Sequence, residues 1–396
     1  MGKSTLASAS VRELLSKAKH YSSIAVDLAL YSLASGSRVA AMEALKIEDQ
    51  LDRIVKDLVA VVSIAVRSPE DAPLAVIVDE IARGFDKVTD AAGDLAGLIM
   101  RGYPIHPYIR AAVSCCGDAV MLVKAEKSIR SLPEIVDILL VKRGDLYILA
   151  PEDRTIEAGD LVVLRGTPEE VADAAKRITG QSYDPLTEYR KASMAASGGD
   201  ELAEKLIHLR WLSREMLDLA LHSIIYVDRS VANFVMELED TADQIYHEIL
   251  ELSYAASSPG SAKEYAGIAV FASSMEYLAD ASTMLARVVA SNLAEADEYY
   301  VEIIGEALEE AEEGYVKLLV SERLDGRRVG ELDLADMGVS VLALGRGGRW
   351  IAPVRPDFTL RKGDLLLAKY YRPEGAESDR IILSKLSTLG LIPLEE

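Results

Sequence analysis

Four pairs of acids in this sequence sit one helical turn apart: Glu48/Asp52, Asp86/Asp90, Glu239/Asp243 and Glu276/Asp280. Residues four apart share a helix face, so each pair points one way. Like charges so placed repel, and they repel more when water is withdrawn. Val55 and Val59 continue the first stripe and Tyr246 and Leu250 the third, which predicts that these faces are partly buried. A helix carrying Asp86/Asp90 laid beside one carrying Glu48/Asp52 would gather four carboxylates. Hard oxygen donors without histidine suit magnesium, calcium, manganese or iron, so a divalent metal is the expected cofactor. Two other outcomes compete. Arg53, Lys56 and Lys87 stand close enough in sequence to neutralise the acids, and an acidic face can dock a basic loop of a transporter. Asp94 adds a third turn to the second pair, where the corresponding residue of the fourth is Met284.

Other chemistries find no support. The five histidines form no Glu-x-x-His pairing, no Gly-x-Ser-x-Gly is present, and Cys115 and Cys116 are adjacent with no second pair to complete a four-ligand set. "GKST" at Gly2–Thr5 lacks the strand and first glycine of a phosphate loop, and "GRGG" at Gly345–Gly348 reads as a hairpin turn. The chain is therefore expected not to be an enzyme. Its net charge of −21 over 396 residues repels phosphates and excludes duplex nucleic acid as a partner. The apolar run Leu58–Val66 is too short to span a bilayer, and the N-terminus lacks the apolar stretch of a signal peptide. A cytoplasmic location is expected.

The elements that must position the acids repeat. "DLALYSLASGSRVA" (Asp27–Ala40) matches "DLALHSIIYVDRSVA" (Asp218–Ala232), "IEDQLD" (Ile47–Asp52) matches "LEDTAD" (Leu238–Asp243), and "FDKVTDAAGDLA" (Phe85–Ala96) matches "MEYLADASTMLA" (Met275–Ala286). "PEDRTIEAGDLVVLRG" (Pro151–Gly166) matches "PDFTLRKGDLLLAK" (Pro356–Lys369). The order is A–B–A′–B′. In the A units, apolar residues such as Ile47, Leu51, Ile54 and Leu58, or Ile77, Ile81, Phe85 and Val88, recur at helical spacing, giving three or so long helices per copy. Ser68-Pro69, Ala72-Pro73 and Ser258-Pro259-Gly260 break them. In the B units the period changes: "DILLVKRGDLYILAP" predicts two strands around a Gly-Asp turn, and "TPEEVADAAKRI" a helix capped by Thr167 with Pro168 at its first position.

The helical units resemble PhoU domains, whose bundles carry acidic motifs of the form [ED]xxxD; the four acid pairs fill those positions. The α/β units resemble the TrkA-C domain (also called RCK-C) of potassium uptake and channel proteins. In the second copy this rests on "RLDGRRVGELDL" (Arg323–Leu334), with an opening strand and a Glu-Leu helix, and on the "P…L..GD.L" ending. In the first copy the ending matches and "GRRVGEL" is shortened to "IRSLPEI" (Ile129–Ile135). The resemblance implies an α+β, mostly α chain: bundle 1 over 1–111, a shortened TrkA-C-like domain over 112–181, a linker over 182–200, bundle 2 over 201–313 and a second TrkA-C-like domain over 314–396. It implies a cytoplasmic regulator, peripheral to the membrane, acting on a transporter or channel for a cation, potassium foremost. The alternative is a metal-binding adaptor of phosphate transport and signalling. TrkA-C domains pair, so a homodimer or an intramolecular pseudo-dimer is implied. Some bind cyclic di-AMP at the pairing interface, and Arg323, Arg327, Arg328 and Arg346 are the cationic candidates for such a nucleotide.

Overall fold

A computed structural model describes residues 10–67, 72–114, 119–130, 132, 136–149, 151, 154–181, 200–291, 293, 296–309, 313–371 and 376–394. Helix α1 (Val11–Ser35) opens on a capping box in which the Ser10 hydroxyl accepts from Glu13 N and the Glu13 carboxylate from Ser10 N. It ends at Gly36, whose φ of 73° is the left-handed turn that reverses the chain. Ser37 then caps α2 (Arg38–Ala65), and α3 (Ala72–Met100) returns antiparallel. Ile47, Leu51, Leu58, Ile77, Ile81, Phe85 and Val88 are all at or near zero exposure, as the helical spacing requires. A short helix α4 (Pro107–Ser114) follows.

The second half runs in the same order. Asp200 caps α6 (Glu201–Ile225), Asp228 caps α7 (Arg229–Ala256), and α8 (Ala262–Ser291) follows a break at Ser257–Ser261. A fourth helix, α9 (Glu298–Glu309), precedes the second sheet. Three long helices per half were legible; α4 and α9 were not anticipated as separate elements. The Ser68-Pro69 break, Cys115 and Cys116, and the linker from 182 to 199 lie outside the described residues.

Residues 1–308 form one compact unit and 309–396 a second. Within the first, α3 of one three-helix bundle packs along α8 of the other. A Cβ on Gly84 would come within 2.5 Å of the Leu285 side chain; the glycine lets the two helices approach closely. The same unit holds a four-stranded antiparallel sheet of β1 (Ala119–Lys124), β2 (Asp137–Arg143), β3 (Leu146–Leu149) and β4 (Leu161–Gly166), in the order β1-β4-β2-β3. Helix α5 (Pro168–Thr179) covers one face, with Val171, Ala174 and Ile178 packed on Val123, Ile138, Val162 and Leu164. Thr167 and Glu170 form the expected cap of α5 and Pro168 sits at its start.

The second unit is a five-stranded antiparallel sheet: β5 (Glu313–Val320), β6 (Val339–Arg346), β7 (Arg349–Ile351), β8 (Leu365–Tyr371) and β9 (Leu391–Leu394), in the order β7-β6-β8-β5-β9. Gly347 and Gly348, at φ of 59° and 79°, make the hairpin turn expected of "GRGG". Three differences from expectation stand out. The Glu-Leu segment Val329–Leu332 is a 3₁₀ turn rather than an α-helix, since four residues with their apolar pair turned inward close no full α turn. Helix α10 (Ala376–Leu389) and edge strand β9 had no counterpart in the reading of the sequence. Overall the described chain is α+β, mostly α. No helix among the described residues is long and apolar enough to cross a membrane.

Candidate functional site

Helices α2 and α3 bring the first two acid pairs together. The Glu48 carboxylate lies against the backbone of Gly93, where a Cβ would come within 2.2 Å of Oε2. Gly93 therefore makes the recess that Glu48 fills, and burial there pushes the Glu48 carboxyl up to about 7, helped by Asp90, Asp49, Asp52 and Asp94. Asp86 is raised by burial and then by Asp90 and Asp52, with Lys56 opposing. Asp90 is raised by burial and then by Asp52 and Asp94. Asp52 is exposed and meets Lys56 at 3.4 Å. Val59 does not continue the buried stripe: it is 45% exposed, because α2 turns that face outward beyond Asp52.

The second set repeats the arrangement on α7 and α8. Glu239, Asp240, Asp243, Glu276 and Asp280, with Ala242 and Ala279, line a pocket of ≈ 230 Å³. Burial raises Glu276 to about 7, with Asp280 and Asp243 adding to it and Lys87 opposing it. His247 Nε2 stands 3.5 Å from Asp243 on the next turn, the place Lys56 holds in the first set. So the expected convergence of four carboxylates occurs twice, on α2/α3 and on α7/α8.

The two sets meet across the α3/α8 seam, which the sequence did not disclose. Lys87 of α3 reaches Asp280 of α8 at 3.7 Å, and its ammonium lies 4.6 Å from the centre of the Tyr277 ring. The Tyr277 hydroxyl is raised by burial and then by Asp90, Asp280, Asp86 and Asp94, so acids from both bundles surround it. Chemically the seam is a field of hard anionic oxygens. The donor type fits a hard divalent cation, yet among the described residues no three carboxylate, imidazole or thiol groups close around one point as direct ligands. A cation taken up in this conformation would be held through its own water shell.

Replacing Gly93 by alanine tests the recess. The clash falls on the far end of a flexible side chain, so the fold should survive within about 1 kcal/mol. Glu48 should swing into water, and carboxyl NMR should show its titration dropping towards the ordinary carboxylate range. A Glu48 titration left in place would refute the recess.

The four arginines of the second sheet unit fare differently. Arg346 forks onto Asp364 (Nε to Oδ1 2.8 Å, Nη2 to Oδ2 2.5 Å), donates to Thr359 O and lies 5.0 Å from the Phe358 ring. Arg143 does the same with Asp160 and Thr155 O in the first sheet. Each aspartate also accepts from a backbone amide of its own turn, Arg361 N or Glu157 N, and the fork holds both aspartates below the usual carboxylate range once the opposing effect of burial is overcome. The "GD" of each copy is thus a turn brace, and Arg346 is engaged in it. Arg323 donates to Thr388 O at 2.8 Å. Arg327 and Arg328 lie exposed on the loop beside it.

Two polar clusters in the first unit escaped the sequence reading. Glu43 of α2 accepts from Lys142 (2.6 Å), Tyr147 (2.8 Å) and Lys46 (2.9 Å), fastening α2 to β2 and β3. Arg165 of β4 donates to Asp137 at 2.7 Å and faces Asp27 of α1 at 3.9 Å, while Arg214 of α6 approaches Asp27 at 3.4 Å and Asp218 at 3.9 Å. One signal was available: Asp27 and Asp218 hold the same place in both "DLAL" repeats, each an acid inside an apolar helix face.

Comparison with known proteins matches residues 206–289 to the PhoU domain and residues 315–373 to the TrkA-C domain. Among solved structures, the crystal structure of PhoU from Pseudomonas aeruginosa is similar at 14% identity over 72% of this chain and 95% of that one, with a TM-score of 0.42. The GsuK channel bound to NAD is similar at 11% identity, and the GsuK channel at 10%. Each covers 81% of this chain and 66% of the channel chain at a TM-score of 0.18. No curated protein matches this chain. The chain contains a PhoU domain in its second bundle and a TrkA-C domain in its second sheet unit.

Proposed function

We propose that this chain is a non-enzymatic regulator of a membrane cation transporter, potassium being the ion that its TrkA-C domain suggests, and that it works from the cytoplasmic side without entering the bilayer. The observation that carries the reading is the joining of a PhoU domain and a TrkA-C domain in one polypeptide. Residues 1–111 and 112–181 are, in this reading, diverged first copies of the two domains, joined to the second copies by the linker over 182–200. The acid sets at Glu48/Asp52/Asp86/Asp90 and Glu239/Asp243/Glu276/Asp280 sense a hydrated divalent cation. Arg327 and Arg328, whose guanidiniums form no ion pair among the described residues, offer a site to an anionic ligand, a cyclic dinucleotide among the candidates.

The test is capture of solubilised membrane proteins on the immobilised full chain, followed by rubidium flux in vesicles with and without it. Recovery of a cation transporter whose flux changes supports the reading; recovery of a phosphate transporter instead would replace it by the second reading, a phosphate-transport adaptor, which the acid field inside the matched PhoU domain favours. A thermal-shift series with magnesium, manganese, calcium and cyclic di-AMP checks the ligands, because binding to the folded state raises its melting temperature by mass action. Shifts abolished by Asp86→Asn/Asp90→Asn or by Arg327→Ala/Arg328→Ala would place each ligand, and flat curves throughout would remove the sensing role.

A further inference from the structure

The α3/α8 seam sets two acidic helices against each other. Asp86, Asp90 and Asp94 project from α3, Glu276 and Asp280 from α8, and the Tyr277 ring stands among them. Such a seam should splay unless something crosses it with positive charge. Lys87 crosses it: its ammonium belongs to the first bundle, yet its carboxylate partner and its aromatic platform both belong to the second. The repeat explains why the crossing is one-sided. Lys87 in "FDKVTD" corresponds to Tyr277 in "MEYLAD", so the second bundle returns a neutral ring where the first sends a cation. The two corresponding positions touch each other, and their chemistry is complementary rather than identical.

We propose that Lys87 is an electrostatic latch between the two bundles, holding the acid-lined stretch of the α3/α8 seam closed against its own repulsion. The latch needs no bound ligand, so it goes beyond the functional reading above and stands independently of it. Its strength is bounded by exposure: the Lys87 and Asp280 side chains are 32% and 35% exposed, and a pair that wet is weakened by screening. It therefore sets how often this stretch opens and not whether the unit folds. Elsewhere along the seam the Leu285 side chain packs against Gly84.

The experiment is hydrogen exchange, followed by mass spectrometry, on the full chain at low salt, reading peptides over residues 84–95 and 274–285. Lys87→Met should speed exchange in both peptides together by roughly fivefold, and Lys87→Arg should restore protection. Lys56→Met is the control: it removes the same charge beside the same acids, at Asp52, without crossing the seam, and should leave both peptides unchanged. Raising the salt should shrink the effect of Lys87→Met. Unchanged protection in Lys87→Met would overturn the latch, and so would equal loosening by Lys56→Met, which would reduce the effect to net charge. If Lys87→Met failed to fold, Tyr277→Leu would carry the test: loss of the platform should loosen the same two peptides by a smaller factor, and full protection there would equally overturn it.

Discussion

Replacing Arg165 by methionine should cost the first unit about 3–5 kcal/mol of stability, the largest effect expected of any single substitution described. Arg165 sits on β4 with its side chain 10% exposed, between Asp137 of β2 at 3% and Asp27 of α1 at 8%. A carboxylate taken out of water is costly unless a cation and hydrogen bonds compensate it. Methionine fills the volume of the arginine stem but supplies neither, so Asp137 loses the donor at 2.7 Å and Asp27 one of its two facing guanidiniums. The loss should fall unevenly between sheet and helix, because Arg165 is where β4 meets α1. Urea unfolding monitored by circular dichroism gives the magnitude. The double variant Arg165→Met/Asp137→Leu separates pairing from packing: removing both partners of a buried pair is often neutral, so it should recover much of the loss. A fall below about 1 kcal/mol in the single variant would mean that the network is solvated and carries little.

How much of this was readable beforehand follows from how far apart the interacting residues lie. Helix periodicity, the Thr167 cap, the Gly347-Gly348 hairpin and the pairing of acids on α2 with acids on α3 are local, or follow from antiparallel neighbours. Residues four apart announce their common face, and the Ser258-Pro259-Gly260 break announces where α7 stops. The Arg165 network draws on α1, β2, β4 and α6, and no spacing rule links Asp27 to Arg165. The crossing of Lys87 to Asp280 depends on which helix of each bundle faces the other, and both bundles offer three. Gly93 illustrates the same limit on a small scale. A glycine in a helix reads as a weakness, and only the position of Glu48 shows that the missing side chain is the space the acid needs. Arg346 was singled out for its charge, whereas the "GD" motif four residues past Leu360 already contained the partner that occupies it.

Stability should fall as pH rises from about 5 to 8, and Glu48→Gln/Glu276→Gln should flatten that fall. Both carboxyls stand at about 7 in the folded chain against an ordinary 4.5. The folded state therefore binds more protons than the unfolded state between those values. Linkage makes the sign definite: the acids favour folding fully below about 4.5, and that advantage is lost progressively up to about 7. Taken without screening, such a shift would be worth about 3 kcal/mol per group; both groups are half in water, so about 1 kcal/mol each is the realistic size. Asp86 and Asp90 are raised in the same direction. Groups pulled the other way do not confuse the result. Glu43, Asp160 and Asp364 are held down by their cationic partners and lose their contribution only in more acid solution. His106, lowered by burial, works in the opposite sense near neutrality but is common to both proteins and cancels in the difference. The double glutamine variant should match the wild type at pH 5 and exceed it by about 2 kcal/mol at pH 8, since a neutral amide sits in the same two places without being forced to ionise. Urea titrations of both proteins at the two pH values decide it. Parallel curves at both would show that Glu48 and Glu276 are already ionised and solvated at pH 5, and that burial on α2/α3 and α7/α8 imposes no cost on their charge.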